Sequence, residues 1–382
     1  MKTAIAYLKK NLMLALSLTA ALVSFAITPP SEKTLQNIDW RTLASLMMML
    51  CVLQGFKKEK VFDPIIRSCG KLKSTSAVMF FVVFGVFFIS MLVTNDVSLL
   101  IFVPLTISIF RSSGDESLMV PTITLENIAA IRGSLLSPFG SPQNLFIFGK
   151  SDISAIDFMI GMSPLCILSG ILLAIFILVI KRKIPGKASD KEITSDIKGN
   201  SHWSWRQTAY VILMAAVILS IVSRTKYWHY VLAFIIISTL IMNMRTIIEI
   251  DWTLLATFLC FFVFSSSIAA NKTLADFLGR TVSGNEYWWS IGLSQIVSNV
   301  PAAIILHPFS KNIARLIYGL DSAGLVSIIG SLASVINYRL YVAEYPNGGK
   351  EFFKKFTAIS LLFFAIVVVP GYLLSASDFF NR

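Results

Sequence analysis

Long apolar runs with almost no charge constrain this chain more than any other feature. Ser74–Phe110 holds one charged residue, Asp96, and Tyr287–Ser310 holds none. Only 14% of the 382 residues are charged and 55% are hydrophobic, whereas soluble domains carry about 25% charged residues. The composition therefore excludes a water-soluble enzyme, and the sequence predicts an all-α polytopic membrane protein in a lipid bilayer.

The basic residues cluster between the apolar runs. The chain has 33 Lys and Arg residues against 21 Asp and Glu residues, a formal net charge of +12. We interpret this excess as cytoplasmic loops that follow the positive-inside rule, so no nucleic-acid partner is expected. The four cysteines form no CxxC pair, and they predict neither a disulfide framework nor a metal site.

The first half of the chain, residues 1–180, is predicted to form one structural repeat. Its first apolar run, Asn11–Thr28, could serve as a signal peptide, but an equally apolar run follows it. We therefore interpret the run as a transmembrane helix. A re-entrant hairpin of two short helices is expected near 76–110, with Asp96 close to its tip. A helix over 119–148 is expected to be broken by the sequence Ser-Pro-Phe-Gly-Ser-Pro.

The second half, residues 207–382, follows a polar cytoplasmic linker at 181–206 and is predicted to form a second repeat. It holds a hairpin near 287–310 and a broken helix over 320–338. If both hairpins return to the side on which they start, most basic residues fall on one side. This distribution predicts about nine crossings, a cytoplasmic N-terminus and a C-terminus outside the cell (inner) membrane.

Three short sequences occur once in each half, in the same order. They are Ile38-Asp39-Trp40 and Ile250-Asp251-Trp252, Thr94-Asn95 and Ser298-Asn299, and Gly140-Ser141 and Gly330-Ser331. In the predicted topology the two copies run in opposite directions across the membrane. Such an inverted-topology repeat is typical of secondary transporters, whose site lies at the repeat interface near mid-membrane.

The polar residues at the hairpin tips and helix breaks form the candidate site. Non-helical backbone at membrane depth is tolerated only where it is packed in protein or lines an aqueous cavity. Carbonyl, hydroxyl and amide oxygens suit Na⁺, and free N–H groups at half-helix N-termini suit an anion. We therefore expect a small anion as substrate and no cofactor beyond Na⁺ as a coupling ion. The substrate candidates are Thr94, Asn95, Asp96, Ser141, Gln143, Asn144, Ser298, Asn299 and Ser331.

Asp96 is the strongest single candidate for a functional residue, because inserting a carboxylate into mid-membrane costs about 2.5–3.5 kcal/mol of free energy. Three roles are open to it: proton coupling, cation binding, or pairing with Arg132. Arg132 itself could anchor an anion, snorkel, or pair with Glu126. We interpret His307 as a packed or interfacial histidine rather than a ligand.

Three motifs in order resemble those of the ion transporter superfamily. They are Thr94-Asn95-Asp96-Val97, the run Pro138-x-Gly-Ser-Pro-Gln-Asn144, and Ser298-Asn299-x-Pro301-Ala302. This superfamily includes the divalent anion:sodium symporters, the citrate-transporter-like permeases and the ArsB/NhaD-type permeases. The acid after Thr-Asn looks closer to the ArsB/NhaD side, since Ser-Asn-Thr is usual on the dicarboxylate side. The resemblance runs from about Asn11 to Ala376.

The resemblance implies an elevator-type transporter, commonly a homodimer, with the substrate between the two hairpin tips. By position, it implies a first cation site at Thr94, Asn95 and Gly140, and a second at Ser298, Asn299 and Gly330. Two departures stand out. Val300 replaces the hydroxyl residue of a second Ser-Asn-Thr, which weakens a dicarboxylate assignment. The first half also lacks one leading helix, since two spans precede its hairpin and three precede the other.

The leading functional hypothesis is a secondary active transporter (permease) that moves a small anion across the cytoplasmic membrane, coupled to Na⁺ or H⁺. The alternative is an arsenite/antimonite efflux permease or a Na⁺/H⁺ antiporter in which Asp96 carries the proton. The chain has no HExxH or GxSxG motif, so an intramembrane enzyme is not predicted. A channel is less favoured, because inverted repeats with broken helices are typical of alternating access.

Overall fold

The computed structural model describes residues 12–29, 36, 38–69, 72, 74–184 and 203–376. The predicted linker therefore lies mostly outside the described residues, as do both chain termini. The described part is all-helical, because backbone groups at membrane depth must find their hydrogen-bond partners within the segment. This confirms the predicted fold class of a polytopic membrane protein.

The described part of the first half forms eight helices. They are α1 (Leu12–Ile27), α2 (Trp40–Lys58), α3 (Asp63–Cys69), α4 (Thr75–Ile89), α5 (Asn95–Ser113), α6 (Glu116–Ser134), α7 (Pro142–Lys150) and α8 (Ala155–Lys183). The hairpin is made of α4 and α5. The broken helix is made of α6 and α7, and residues 135–141 separate its two parts.

The described part of the second half forms nine helices and one 3₁₀ turn. They are α9 (Trp205–Val222), α10 (Trp228–Ile248), α11 (Trp252–Ala270), α12 (Lys272–Val282), α13 (Glu286–Val297), α14 (Asn299–Leu306) with the turn His307–Phe309, α15 (Ile313–Ala323), α16 (Leu332–Glu344) and α17 (Gly349–Ser375). Here α13 and α14 form the hairpin, and α15 and α16 form the broken helix.

Six of the described helices are long and apolar enough to cross a membrane on their own, namely α5, α8, α9, α10, α11 and α17. One of them differs from expectation, since the second arm of the first hairpin was predicted to be short. Pro104 lies inside α5 without ending it, and the helix runs for 19 residues. It stops where Gly114 takes a left-handed φ of 75°.

Each hairpin is closed at its base by hydrogen bonds to a carboxylate. In the first hairpin the Thr75 hydroxyl donates to Asp115 Oδ2 at 3.0 Å. In the second, Glu286 Oε1 accepts from the backbone N–H groups of Lys311 at 3.1 Å and Asn312 at 3.2 Å. The two ends of each hairpin therefore lie side by side, as a re-entrant hairpin requires.

The two copies of the Ile-Asp-Trp sequence fold alike. Asp39 caps the N-terminus of α2 by accepting from the Thr42 backbone N–H at 3.0 Å. Asp251 caps α11 in the same way, by accepting from the Leu254 backbone N–H at 2.9 Å. A side-chain oxygen at this position satisfies an N–H group that has no partner inside the helix. The repeat seen in the sequence is thus also a repeat of local structure.

The repeats are interlocked rather than stacked side by side. The helix before each Ile-Asp-Trp copy packs on the opposite repeat, α1 against α11 and α10 against α2. The second arm of each hairpin packs on the other repeat's broken helix, α5 against α16 and α14 against α7. In the described part, three helices precede the first hairpin, α1, α2 and the short α3, whereas four precede the second, α9, α10, α11 and α12. The predicted lack of one leading helix in the first half stays a prediction.

Helix α6 lies at the centre of this arrangement. Every residue from Leu118 to Ser134 is buried, and α6 packs against α4, α5, α8, α16 and α17. Two cross-repeat hydrogen bonds fix it to α16: Asn127 Nδ2 donates to the Ser334 hydroxyl at 3.0 Å, and Asn337 Nδ2 donates to the Ile123 carbonyl at 2.9 Å. The end of α6, where the first break begins, is therefore held in protein.

Candidate functional site

The first hairpin tip is bonded to the helix break of its own repeat. Asn95 begins α5, and its backbone N–H donates to the Gly140 carbonyl at 3.2 Å. Its side-chain oxygen accepts from the Asp96 backbone N–H at 2.9 Å, and its carbonyl accepts from the Ser98 hydroxyl at 2.7 Å. Asn95 is thus fixed through both its backbone and its side chain.

The second tip repeats this connection in the other half. The backbone N–H of Asn299, the first residue of α14, donates to the Gly330 carbonyl at 3.1 Å. The hydroxyl of Ser298 donates to Asn299 Oδ1 at 3.4 Å. Ser298 itself takes a φ of 71° and a ψ of 159°, a conformation that is essentially restricted to glycine. The second turn is therefore strained.

Glycine is required at both breaks by a close backbone approach. A Cβ atom on Gly140 would lie 2.4 Å from the Ser134 carbonyl oxygen. A Cβ atom on Gly330 would lie 2.4 Å from the Ala323 carbonyl oxygen. In each repeat the break folds back onto the last residue of the helix before it, and this turn presents the glycine carbonyl to the hairpin tip.

The residues after the first break are bonded to both repeats. The Ser141 hydroxyl caps α7 by accepting from the Asn144 backbone N–H at 3.3 Å. Asn144 Nδ2 donates to the Ser134 carbonyl at 3.4 Å. Gln143 Nε2 donates to Asp321 Oδ1 at 3.0 Å, so this amide reaches across to α15. Ser331 immediately precedes α16, but its side chain makes no comparable capping hydrogen bond.

Two cavities lie beside the hairpin tips. One of about 340 Å³ is lined by Thr94, Asp96 and Asp251, among others. The other, of about 290 Å³, is lined by Ser298, Pro301 and again Asp251. Asp251 was recognised in the sequence only as part of a repeated motif. The structure adds that Asp251 lines both cavities.

The predicted site residues divide into two groups. Thr94, Asp96 and Ser298 line these cavities. The others are buried beside the breaks and line neither cavity: Asn95, Gly140, Ser141, Gln143, Asn144, Asn299, Gly330 and Ser331. The structure thus gathers all of them around tips and breaks without joining them in one open space. Their roles as cation and substrate ligands stay predictions.

The charge pairs considered for Arg132 differ from those in the structure. Among the described residues Arg132 forms neither a hydrogen bond nor an ion pair with Asp96 or Glu126. Glu126 Oε1 instead accepts from the Thr106 hydroxyl at 2.6 Å. Another acid, Asp321, lies near the end of α15, and that helix end contacts the end of α6 through Gly324 and Ile131. Sequence reasoning missed Asp321, because only the fold brings α6 and α15 together.

Two further expectations concern possible ligands. The His307 ring packs edge-on against Phe146, with ring centroids 5.3 Å apart, which fits the interpretation of a packed histidine. In the described part of the chain, no group of three or more His, Cys, Asp or Glu residues could hold a metal ion. The candidate cation ligands at the tips are therefore hydroxyl, amide and carbonyl oxygens and the single carboxylate of Asp96, all of which are oxygen ligands that suit Na⁺.

Comparisons with known proteins find similar sequences among membrane transport proteins. The family model described as citrate transporter, CitMHS, matches residues 5–336. The uncharacterized transporter MJ0456 of Methanocaldococcus jannaschii is 29% identical over 329 residues, which cover 86% of this chain and 88% of that protein. The inner membrane protein YbiR of Escherichia coli K12 is 29% identical over 310 residues, which cover 79% of this chain and 80% of YbiR.

Proposed function

The chain belongs to the citrate transporter family, part of the ion transporter superfamily, and we propose that it is a secondary active transporter for a small anion. Transport is coupled to Na⁺ or H⁺ and crosses the inner membrane. The substrate binds between the two hairpin tips, and two copies of the chain form a homodimer. The preference for the ArsB/NhaD-type side of the superfamily stays a prediction.

One observation carries the proposal. In both repeats the backbone N–H of the tip asparagine donates to the carbonyl of the break glycine, at 3.2 Å for Asn95 and 3.1 Å for Asn299. Two half-helices then begin near two breaks, and their N–H groups and dipoles suit an anion. The carbonyl and hydroxyl oxygens of the same turns suit a small cation. Such paired, discontinuous helices at a repeat interface are the usual site of a secondary transporter.

The same bonds support an elevator-type mechanism. Each tip is tied to the break of its own repeat, and the arms α5 and α14 pack on the broken helix of the other repeat. A tip that opened as a gate would have to leave these contacts. Moving the hairpins and broken helices together as one body preserves them.

A second candidate function is arsenite/antimonite efflux or Na⁺/H⁺ antiport. It is favoured by one observation, that two carboxylates from different repeats, Asp96 and Asp251, line the same cavity. Asp96 Oδ1 is buried and accepts no hydrogen bond from the described residues. A carboxylate in this setting is suited to carry a proton, because like charges close together disfavour the doubly ionised state.

The first test is a current measurement on proteoliposomes containing the purified chain. The external concentration of citrate or succinate is raised abruptly, first in Na⁺ buffer and then in choline buffer. We expect a Na⁺-dependent current that disappears in Asn95→Ala and in Asn299→Ala, while Asn285→Ala, at the outer end of the second hairpin, retains it. No current in either buffer would contradict a carboxylate carrier and leave oxyanion efflux or cation/proton exchange to be assayed.

Asp96→Asn separates the two coupling ions. If Asp96 carries the proton, flux driven by a pH gradient vanishes in this variant and flux driven by Na⁺ partly survives. The exposed acid Asp157 provides the matched control, and Asp157→Asn is expected to leave both fluxes intact. Unchanged proton-driven flux in Asp96→Asn would refute the assigned role.

A further inference from the structure

Arg132 and Asp321 occupy the same position in the two repeats and carry opposite charges. Each is the third residue from the end of the helix that leads into a break, α6 for Arg132 and α15 for Asp321. Both side chains are 0% exposed. Few charges are buried this deeply without an opposite charge nearby, because removal from water costs several kcal/mol per ion.

The two helix ends that carry them are in direct contact. A Cβ atom on Gly324, the first residue after α15, would lie 3.1 Å from Ile131 Cδ1. The same atom would lie 3.0 Å from the Cβ of Ser331, a predicted substrate residue. Asp321 in turn accepts the hydrogen bond from Gln143 at 3.0 Å. The helix ends that carry the two charges therefore lie beside predicted substrate residues of both repeats, Gln143 and Ser331.

The side-chain atoms of Arg132 and Asp321 that lack hydrogen-bond partners are complementary, donors on one side and an acceptor on the other. None of the three side-chain nitrogens of Arg132 has a hydrogen-bond partner among the described residues, and neither does Asp321 Oδ2. The dipole of α6 is negative at its end and favours Arg132 there, whereas the dipole of α15 opposes Asp321. An ionised Asp321 thus depends on a cation, and Arg132 lies at the adjoining helix end, although no direct hydrogen bond joins the two side chains.

We infer that Arg132 and Asp321 are positioning residues, a charge-compensated pair that joins the two breaks, holds Gln143 in place and keeps the substrate region close to neutral. The inference rests on the proposed function, since it assigns the pair to an anion site. Without Asp321 the region keeps an uncompensated positive charge. Without Arg132 it keeps an uncompensated negative one. The two changes act on anion binding in opposite directions.

The test is a double-mutant cycle with two readouts. Arg132→Gln, Asp321→Asn and the double variant are compared by the KM and kcat of citrate uptake in proteoliposomes, and by Tm in detergent. We expect KM to rise roughly threefold to tenfold in Arg132→Gln, to fall by a similar factor in Asp321→Asn, and to return near wild type in the double variant. Both single variants lower Tm, and the double variant recovers most of that loss.

Glu126→Gln is the matched control, because Glu126 is a buried acid on the same helix whose bond from Thr106 a glutamine can keep. It is expected to leave KM unchanged. A KM that moves in the same direction in both single variants, or Tm losses that simply add in the double variant, would overturn the pair. If the single variants do not fold, recovery of folded protein by the double variant supports it, and failure of the double variant overturns it.

The Tm cycle separates this inference from the proposed function. Absence of citrate uptake in the wild type would count against the carboxylate carrier, while non-additive Tm values would still establish that the two charges compensate each other. Normal uptake with additive Tm values would reject the pair and leave the transporter in place.

Discussion

The two hairpin tips share a backbone frame and differ in chemistry. Both present an asparagine N–H to a glycine carbonyl, at 3.2 Å in the first repeat and 3.1 Å in the second. The first tip adds a carboxylate, Asp96, and its turn residue Thr94 has a relaxed φ of −69°. The second has Val300 in place of the acid, and Ser298 is held at a φ of 71°.

This difference shows that two repeats can share a backbone arrangement and still carry different side-chain properties. The frame depends on two glycines and two backbone bonds, and these are matched in both halves. The charge is confined to one tip and the backbone strain to the other. The repeated sequences therefore account for the shared geometry, while the charge and the strain belong to individual side chains that the two halves do not share.

The largest effect is expected from changes that break the shared frame. Gly140→Ala and Gly330→Ala each place a Cβ atom 2.4 Å from a carbonyl oxygen, so the break must shift. A displacement of about 1 Å at a site of this kind costs about 100-fold in rate, and we expect both variants to lose uptake to that extent in proteoliposomes. Gly292→Ala, where nothing lies within 4 Å, is the control. Tolerance at only one break would show that the frames are not equivalent.

A smaller effect, opposite in sign at the two tips, is expected from glycine substitutions. Ser298→Gly removes strain of the order of 1–3 kcal/mol, and we expect Tm to rise. Thr94→Gly, at a relaxed extended position, adds only unfolded-state freedom and costs about 0.5–1 kcal/mol. Thermal unfolding in detergent measures both. If Ser298→Gly does not stabilise the protein, the asymmetry in strain between the tips is wrong.

The smallest effect concerns the exposed rim of the first cavity. Glu249, which follows the end of α10 and lines that cavity, is 3.0 Å from the Lys58 Nζ. This hydrogen bond lowers the pKa of Glu249, so its stabilisation is present above the ordinary pKa of glutamate. It is lost as the pH falls through the lowered value.

The pH dependence of Tm checks this rim contact. Glu249→Gln should remove a shallow acid-side loss of Tm, and Lys58→Met should remove the same loss because it deletes the partner. A pair this exposed contributes little, so we expect uptake to stay close to wild type. A steep loss of uptake in either variant would mean that the first cavity depends on its rim as well as on Asp96.

Much of the architecture could be predicted because its signals are local in the sequence. Charge-free runs mark the spans, and Gly-Ser and Ser-Pro sequences mark the breaks. The tip asparagines are recognisable because they recur in order. Asp321 gave no such signal, since a single acid in an amphipathic segment is also typical of a solvated helix face. Comparing the last turns of α6 and α15 would have found it, because Arg132 stands at the equivalent place.

The length of α5 shows a different limit. The charge-free run suggested two short helices, yet α5 continues through Pro104, because a proline inside a membrane helix is tolerated when neighbouring elements compensate for the lost hydrogen bond. Here α5 packs against α4, α6 and α16, contacts that no local pattern contains. The same limit applies to Arg132, for which the sequence left several roles open, since contacts across repeats depend on packing between distant segments.

The helix before each Ile-Asp-Trp copy packs on the opposite repeat, and this arrangement has a consequence for biogenesis. Because α1 packs on α11 and α10 packs on α2, the first half of the chain leaves the ribosome before the surfaces that complete it exist. It must wait in the bilayer, with lipid or an insertion factor against the faces later covered by α10 and α11, until the second half arrives. Assembly is therefore a single late event, and separately expressed halves should become stable only when they are synthesised together.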